Sequence, residues 1–169
     1  IAEPILLGRE IKINKIIQEY NLDLPNCTII DPRSDETIDQ RERFAKILHE
    51  KRKRRGLTFY EAKKMMRERN YYASAMVETG MADVMISGIT RSYKETIRPA
   101  LQVIGAEEGI NKIAGMYILI SKDGPIFFAD TTININPTIE EIVDITLLVA
   151  RTVKAVSYTH LRAHETHDD

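Results

Sequence analysis

The sequence has little of what stabilises secreted or membrane-spanning proteins. It contains one cysteine, Cys27, no tryptophan, and no run of about 18 apolar residues, the length needed to span a bilayer. One cysteine excludes an intrachain disulfide, and the first residues do not resemble a secretory signal, so we expect a cytoplasmic protein. Neither sign of charge is in excess, because 24 Lys and Arg stand against 25 Asp and Glu. The chain as a whole therefore has no general attraction for nucleic acid.

What is present is the composition of an ordinary globular domain. The chain has 169 residues, of which 43% are hydrophobic and 29% are charged. Apolar strand patterns alternate with helical patterns, and this alternation predicts one α/β domain with a largely parallel sheet covered on both faces. Pro99 is expected to interrupt the fourth helix. The predicted strands are 4–7, 27–30, 83–88, 113–121 and 126–129, and the predicted helices are 9–20, 37–55, 58–80, 92–104 and 138–153. Thr58–Glu61 and Thr138–Glu141 have the pattern of capping boxes at helix starts, Gly56 that of a helix C-terminal cap, and Asp123-Gly124-Pro125 that of a turn between the last two strands.

The sequence predicts that the domain is truncated at both ends. Residues 1–8 already have the pattern of a buried strand and its turn, so we expect further sequence before Ile1. Residues 156–169 show neither helical nor strand periodicity and resemble translated adapter or vector sequence. We therefore predict a partial domain over 1–155 and a non-native tail over 156–169. The tail carries His160, His164 and His167, but it offers no core to orient them, so we expect no metal site.

Ligands of open parallel sheets bind beyond the carboxyl ends of the strands, which directs attention to the segment 31–33 and to two loops, residues 87–96 and 130–136. The first loop combines a glycine, hydroxyl groups and an arginine at the start of a helix, features that favour an anion. The same hydroxyl groups could instead only cap that helix. The second is a polar loop that either orients a substrate or sets up the last helix. The candidate ligand-binding residues are Ser87, Gly88, Thr90, Arg91, Asp130, Thr131 and Asn136.

Two further basic features allow more than one interpretation. Arg98 could extend to water from its apolar helix, or its planar guanidinium could bind a phosphate group through two hydrogen bonds. The run Lys51–Arg55 is typical of a solvated helix end. It could also bind the phosphates of a small anionic cofactor. A third interpretation is a nucleic-acid surface, with Tyr60, Tyr71 and Tyr72 as stacking platforms.

The order of elements resembles the phosphate acetyl/butyryltransferase family over nearly all of residues 3–155. Within that family, residues 87–94, 98–105 and 130–137 are most similar to the C-terminal domain of bacterial NADP-dependent hybrid malic enzymes. The strings that carry the resemblance are Ile30-Asp-Pro, Lys53-Arg-Arg-Gly-Leu-Thr58, Met85-Ile-Ser-Gly88, Thr96-Ile-Arg-Pro-Ala-Leu-Gln102 and Phe128-Ala-Asp-Thr131 through Asn136-Pro-Thr138.

The resemblance implies a three-layer α/β/α fold, similar to isocitrate and isopropylmalate dehydrogenases, incomplete here at both ends and oligomeric in the full-length protein. It also implies that Arg98 and Arg52 neutralise phosphate charge, and that Ser87 and Thr90 line a cleft.

The main functional expectation is a regulatory fragment of a hybrid malic enzyme that binds acetyl-CoA and is inactive alone. NADP and a divalent metal would then belong only to a preceding region. The alternative is a genuine phosphate acetyltransferase, which converts acetyl-CoA and phosphate to acetyl phosphate and CoA. A weaker alternative is a nucleic-acid-binding module that uses Lys51–Arg55.

Overall fold

The structure is a computed structural model that describes residues 3–24, 27–106, 110, 112–122 and 124–164, with the backbone alone for 156–164. The chain divides into two compact units, residues 1–105 and 106–169. In the described ranges, no helix combines the length and the apolar character that crossing a membrane requires. The elements are β1 Ile5–Leu7, α1 Glu10–Glu19, β2 Thr28–Ile30, α2 Ile38–Arg52, α3 Phe59–Met65, α4 Arg69–Glu78, α5 Tyr93–Val103, β3 Met116–Ser121, β4 Gly124–Ala129 and α6 Ile139–His164.

The first unit begins with a parallel strand pair. β1 and β2 align Ile5 with Thr28 and Leu7 with Ile30, and α1 is the crossover between them. The backbone N–H of Gly8 donates to the Ile30 carbonyl at 2.9 Å, which fixes the carboxyl ends of the two strands together. The predicted strand–helix–strand unit is therefore confirmed.

Four helices, α2 to α5, enclose the core of the first unit. The rings of Phe44 and Tyr72 meet edge to face, with centroids 5.2 Å apart. Leu7 and Ile30 pack against this cluster from the strand pair. The buried apolar residues are Phe44, Ala45, Leu48, Ala62, Met66, Tyr72, Ala75, Met76 and Val103.

Helix ends in the first unit follow the local sequence. Thr58 and Glu61 form the predicted capping box at the start of α3, with each side chain bonded to the other residue's backbone N–H. At the end of α2 the chain tightens into a 3₁₀ turn over Lys53–Arg55, and Gly56 follows in the left-handed region at φ 84°. The predicted glycine cap is therefore confirmed.

The second unit consists of a hairpin and a long helix. β3 and β4 pair antiparallel, with Met116 opposite Ala129 and Ser121 opposite Gly124, as the turn between them predicts. The capping box predicted at Thr138 and Glu141 opens α6. Ile145 is the buried apolar side chain among the described residues of this unit.

The α/β class is confirmed, and the described residues contain one parallel pair and one antiparallel hairpin. Four local predictions are wrong. The strand predicted at 83–88 is irregular chain. The helix predicted over 58–80 is two helices, α3 and α4, because Glu68 caps a new helix with its own side chain. Pro99 does not interrupt α5, and α6 continues beyond 153 to His164.

Pro99 is accommodated inside α5 by a side chain from another helix. A proline has no N–H to donate to the carbonyl four residues earlier, which here is that of Glu95. The Asn70 side chain donates to this carbonyl instead, at 3.3 Å. The helix continues because α4 supplies the hydrogen bond that the sequence of α5 cannot supply itself.

Candidate functional site

The predicted anion loop, residues 87–91, lies between α4 and α5 in an unusual backbone conformation. Gly88 has φ 142° and Ile89 has φ 55°. A β-branched residue rarely adopts the left-handed region, so Ile89 marks local strain, and its side chain is fully exposed. The backbone N–H of Thr90 turns back to donate to the Gly88 carbonyl at 2.6 Å. The loop is therefore a tight turn and not the end of a strand.

The first turn of α4 holds this loop at two points. The Ser87 hydroxyl donates to Oδ1 of buried Asn70 at 2.8 Å. Arg91 forms an ion pair with Glu68, Nη2 to Oε1, at 3.1 Å. Glu68 Oε2 also accepts the backbone N–H groups of Asn70 and Tyr71, at 2.9 and 3.4 Å. The Glu68–Tyr71 segment, which sequence reasoning did not single out as a unit, thus organises the predicted loop.

Helix capping in this region is performed by the next residue, Ser92. Its hydroxyl accepts the backbone N–H of Glu95 at 3.3 Å, and the Glu95 carboxylate accepts the backbone N–H of Ser92 at 3.1 Å. The Ser92 hydroxyl also donates to the Glu95 carboxylate at 2.8 Å, and this hydrogen bond, together with the one from the Ser92 backbone, lowers the pKa of Glu95 below its ordinary value. Because Ser92 caps α5, the hydroxyl groups of Ser87 and Thr90 are not the cap of this helix, as one interpretation of the sequence had it.

Arg52 and Arg98 both lie beside Tyr71. Arg52 is the last residue of α2 and is half-buried, whereas Arg98 is exposed on α5. The Tyr71 hydroxyl donates to Oε1 of Gln102 at 2.7 Å. Burial raises the pKa of this phenol, while the guanidinium groups of Arg98 and Arg52 act in the opposite direction. Two cations from separate helices therefore act electrostatically on one phenol, and their binding of a shared phosphate stays a prediction.

Part of the basic run 51–55 is engaged in structural contacts. Lys51 pairs with Glu78 and donates to the Val103 carbonyl at 2.7 Å, which caps the end of α5. Lys53 pairs with Glu50 of its own helix. Tyr72 is fully buried, so it cannot stack on a base. These contacts favour the solvated-helix-end interpretation over a nucleic-acid surface.

In the second unit, Asp130 organises the predicted polar loop. Its carboxylate accepts backbone N–H groups from Gly115 at 2.9 Å, Thr132 at 3.2 Å and Asn134 at 2.6 Å. Burial alone would raise the pKa of Asp130, but these hydrogen bonds together lower it well below its ordinary value. The residue acts here as an acceptor that closes its own loop.

Thr131 and Asn136 have different surroundings in that loop. The Thr131 hydroxyl is buried and has no hydrogen-bond partner among the described residues. Asn136 is exposed, with φ 51° in the left-handed region that asparagine tolerates. A ligand role for Asp130, Thr131 and Asn136 stays a prediction.

The first unit also contains a basic cavity of about 300 Å³. Arg91 lines it, whereas Arg52 and Arg98 do not. The other cations around it come from three separate segments of the chain, and no local motif could have predicted their convergence. Within the described residues no cluster of three or more His, Cys, Asp or Glu could hold a metal ion. The side chains of His160, His164 and His167 lie outside the described part.

The structure resembles solved phosphotransacetylases. It matches a phosphotransacetylase from Streptococcus pyogenes with a TM-score of 0.72 and 33% identity, covering 85% of this chain and 43% of that one. It matches the EutD phosphotransacetylase from Staphylococcus aureus with a TM-score of 0.70 and 30% identity, covering 85% and 42%. These similarities cover both units of the fold.

Curated relatives give the same result at the level of sequence. The chain is 34% identical over 160 residues to a phosphate acetyltransferase of Clostridium acetobutylicum, covering 91% of this chain and 47% of the relative. It is 37% identical over 150 residues to one of Helicobacter pylori, covering 89% and 28%. The chain therefore spans less than half the length of these relatives.

These relatives overturn the main functional expectation. The chain was expected to be a regulatory fragment of a hybrid malic enzyme, but the matching proteins at 30–37% identity are named phosphate acetyltransferase. The stretches that suggested a malic enzyme are short, whereas the similarity to the transferases extends over about nine-tenths of the chain.

The profile of the phosphate acetyl/butaryl transferase family matches residues 1–163. The match includes both units and all the predicted site residues. On this basis, the chain belongs to the phosphate acetyl/butaryl transferase family.

Proposed function

We propose that the protein transfers an acetyl group between acetyl phosphate and coenzyme A, as a phosphate acetyltransferase. The observation that carries the proposal is the match of residues 1–163 to this family, and the electrostatic action of both Arg52 and Arg98 on Tyr71 is consistent with a common phosphate site. Two guanidinium groups can neutralise a phosphate group that a single cation would leave partly charged. The proposed substrates are small molecules. We also propose that the full-length protein is a homo-oligomer and that it acts in the cytoplasm.

In the proposed reaction, the thiolate sulfur of CoA attacks the acetyl carbonyl carbon of acetyl phosphate. A carbon–sulfur bond forms, and the bond between the carbonyl carbon and the oxygen that bridges to phosphorus breaks. Phosphate leaves with the electron pair of that bond. Arg98 and Arg52 stabilise the negative charge on the departing phosphate through charge-assisted hydrogen bonds. The reaction needs no redox cofactor, because no atom changes its oxidation state.

The turn at residues 87–91 is the second part of the proposed site. Gly88 allows close approach to the backbone, and the Thr90 hydroxyl can donate to a phosphate oxygen, whereas the Ser87 hydroxyl would have to exchange its hydrogen bond with Asn70 in order to do so. Ser87 is held by Asn70, and Arg91 is held by Glu68, so both side chains are positioned before a ligand arrives. Within the second unit taken by itself, Asp130, Thr131 and Asn136 are proposed as ligand-binding residues.

The proposal is tested by measuring acetyl-CoA formation from acetyl phosphate and CoA with the intact protein. Replacing Arg98 with alanine is expected to lower kcat/KM by about 10²–10³-fold, because the departing phosphate loses a charged donor. Arg98→Lys keeps the charge without the planar fork and should retain part of the activity. Arg54→Ala is the matched control, since Arg54 is exposed and has no ion pair within the described part of the chain.

Two results would overturn the proposal. One is the absence of acetyl-CoA formation by the folded, intact protein at saturating substrates. The other is an equal effect of Arg98→Ala and Arg54→Ala, which would mean that position 98 has no special relation to the phosphate group.

A further inference from the structure

The basic cavity lies where the parallel strands β1 and β2 both end. In sheets of this kind the carboxyl ends of the strands are the usual position of a ligand. The α1 helix begins at the same place, and its N-cap residue Arg9 makes no side-chain cap hydrogen bond. The first turn of α1 carries one carboxylate, that of Glu10, which does not line the cavity. The lining residues are Leu7, Gly8, Arg9, Lys12, Ile13, Ile16, Asp31, Pro32, Arg33, Arg67, Glu68, Arg69 and Arg91.

The charge around the cavity is strongly unbalanced. Six cationic side chains line it against two carboxylates, Asp31 and Glu68. Both carboxylates have partners: Asp31 accepts the backbone N–H of Arg33 at 2.9 Å, and Glu68 pairs with Arg91. In the part of the chain that the structure describes, no carboxylate lies within ion-pair distance of the other five cations, which are all exposed. These are Arg9, Lys12, Arg33, Arg67 and Arg69.

Buried contacts hold the walls of the cavity in place. Arg41 is buried in α2, and its Nη1 donates to the carbonyl oxygens of Pro32 at 2.6 Å and Ser34 at 2.9 Å. This fixes the loop that carries Arg33. On the opposite wall, Glu68 caps α4 and fixes the segment that carries Arg67 and Arg69. The two segments that carry Arg33, Arg67 and Arg69 are thus fixed, so these cations stay close together despite their mutual repulsion.

We propose that this cavity binds a compact anion with two or more phosphate groups. Five unpaired cations exceed what a single phosphate, with a charge of about −2, can neutralise, whereas a diphosphate group matches them more closely. The lining contains no aromatic side chain on which a nucleic-acid base could stack. Its concave shape also fits a small molecule better than an extended strand. The cavity shares Arg91 with the proposed site, but Arg52, Arg98, Ser87, Gly88 and Thr90 do not line it, so the inference goes beyond the proposed reaction.

The test is a calorimetric titration of the intact protein with inorganic pyrophosphate. The double variant Arg33→Ala and Arg67→Ala should weaken binding by at least about tenfold, because it removes two charge-assisted donors. Arg43→Ala, an exposed arginine of α2 outside the cavity, should leave binding unchanged. Far-UV circular dichroism confirms that each variant is folded, and the double variant with glutamine at both positions provides a second, longer-chained replacement.

Competition experiments identify the source of the phosphate groups. If CoA and ATP both displace pyrophosphate while pantetheine does not, the cavity recognises the diphosphate group itself. If only CoA displaces it, the phosphates belong to the substrate of the proposed reaction. The proposal is overturned if pyrophosphate does not bind at millimolar concentration, if the Arg33/Arg67 and Arg43 variants bind it equally, or if an oligonucleotide displaces it more effectively than CoA and ATP. None of these outcomes depends on turnover, so they are distinguishable from a failure of the transferase proposal.

Discussion

The two units of the chain bury very different amounts of apolar surface. Among the residues that the structure describes, nine side chains of residues 1–105 form a buried apolar cluster, whereas Ile145 is the buried apolar side chain in residues 106–169. In the second unit, both the hairpin and α6 leave large apolar side chains exposed, among them Tyr117, Leu119, Ile120, Phe128, Ile139, Ile142 and Leu147. The first unit is therefore stabilised by its own core, while the second has apolar surface in excess of what it covers itself.

A pair of leucine substitutions in helices of the two units tests this difference most strongly. Leu48 in α2 is fully buried, whereas Leu147 in α6 is 59% exposed. Leu48→Ala should lower the free energy of unfolding by about 2–5 kcal/mol, because it removes buried methyl groups and leaves a cavity. Leu147→Ala should change it by about 0.5 kcal/mol or less. Urea unfolding followed by far-UV circular dichroism measures both, and equal losses would contradict the contrast between the units.

A second test concerns the polar interior of the first unit. Replacing Arg41 with methionine keeps much of the buried stem but removes the donor to the Pro32 and Ser34 carbonyls. We expect a loss of about 1–3 kcal/mol, because these carbonyls lose their partner. Arg43→Met, on the exposed side of the same helix, is the control and should cost much less. Chemical unfolding compares the two, and similar costs would mean that the Arg41 hydrogen bonds do not stabilise the loop.

The smallest expected effect is a pH dependence specific to the second unit. Because the pKa of folded Asp130 lies below its ordinary value of 3.8, the carboxylate stabilises the fold at neutral pH. This stabilisation should decline as the pH falls below that ordinary value and approaches the folded pKa. Asp130→Asn should lower the thermal unfolding temperature at neutral pH, and the gap from the wild type should narrow in acid. A gap that stays constant would show that ionisation of Asp130 is not involved.

Local sequence was enough to predict the elements whose stabilisation is local. The capping boxes at Thr58 and Thr138, the glycine after the basic run and the β3–β4 turn depend on neighbouring residues, and all are confirmed. The continuation of α5 through Pro99 was not predictable, because the compensating hydrogen bond comes from Asn70 in another helix. Hydrophobicity at 83–88 predicted a strand, but the described part of this unit provides no strand partner for it.

The residues of the candidate site also divide into those that the local sequence indicates and those that only the fold reveals. Arg98 and the turn around Gly88 stand out in the sequence because they combine an arginine or a glycine with a helix. Glu68, Asn70 and Arg41 act through partners 23, 17 and 9 residues away, so only the fold reveals them. The basic cavity is the extreme case, since its cations are ordinary surface residues until the chain brings them together.

The most direct test of the proposed phosphate site is a double-mutant cycle on Arg52 and Arg98, read as kcat/KM for acetyl phosphate. If both guanidinium groups bind one phosphate, the double alanine variant should lose much less than the product of the two single losses, because each interaction depends on the other. Losses that multiply independently would mean that the two arginines do not share a ligand, and the site described beside Tyr71 would be wrong.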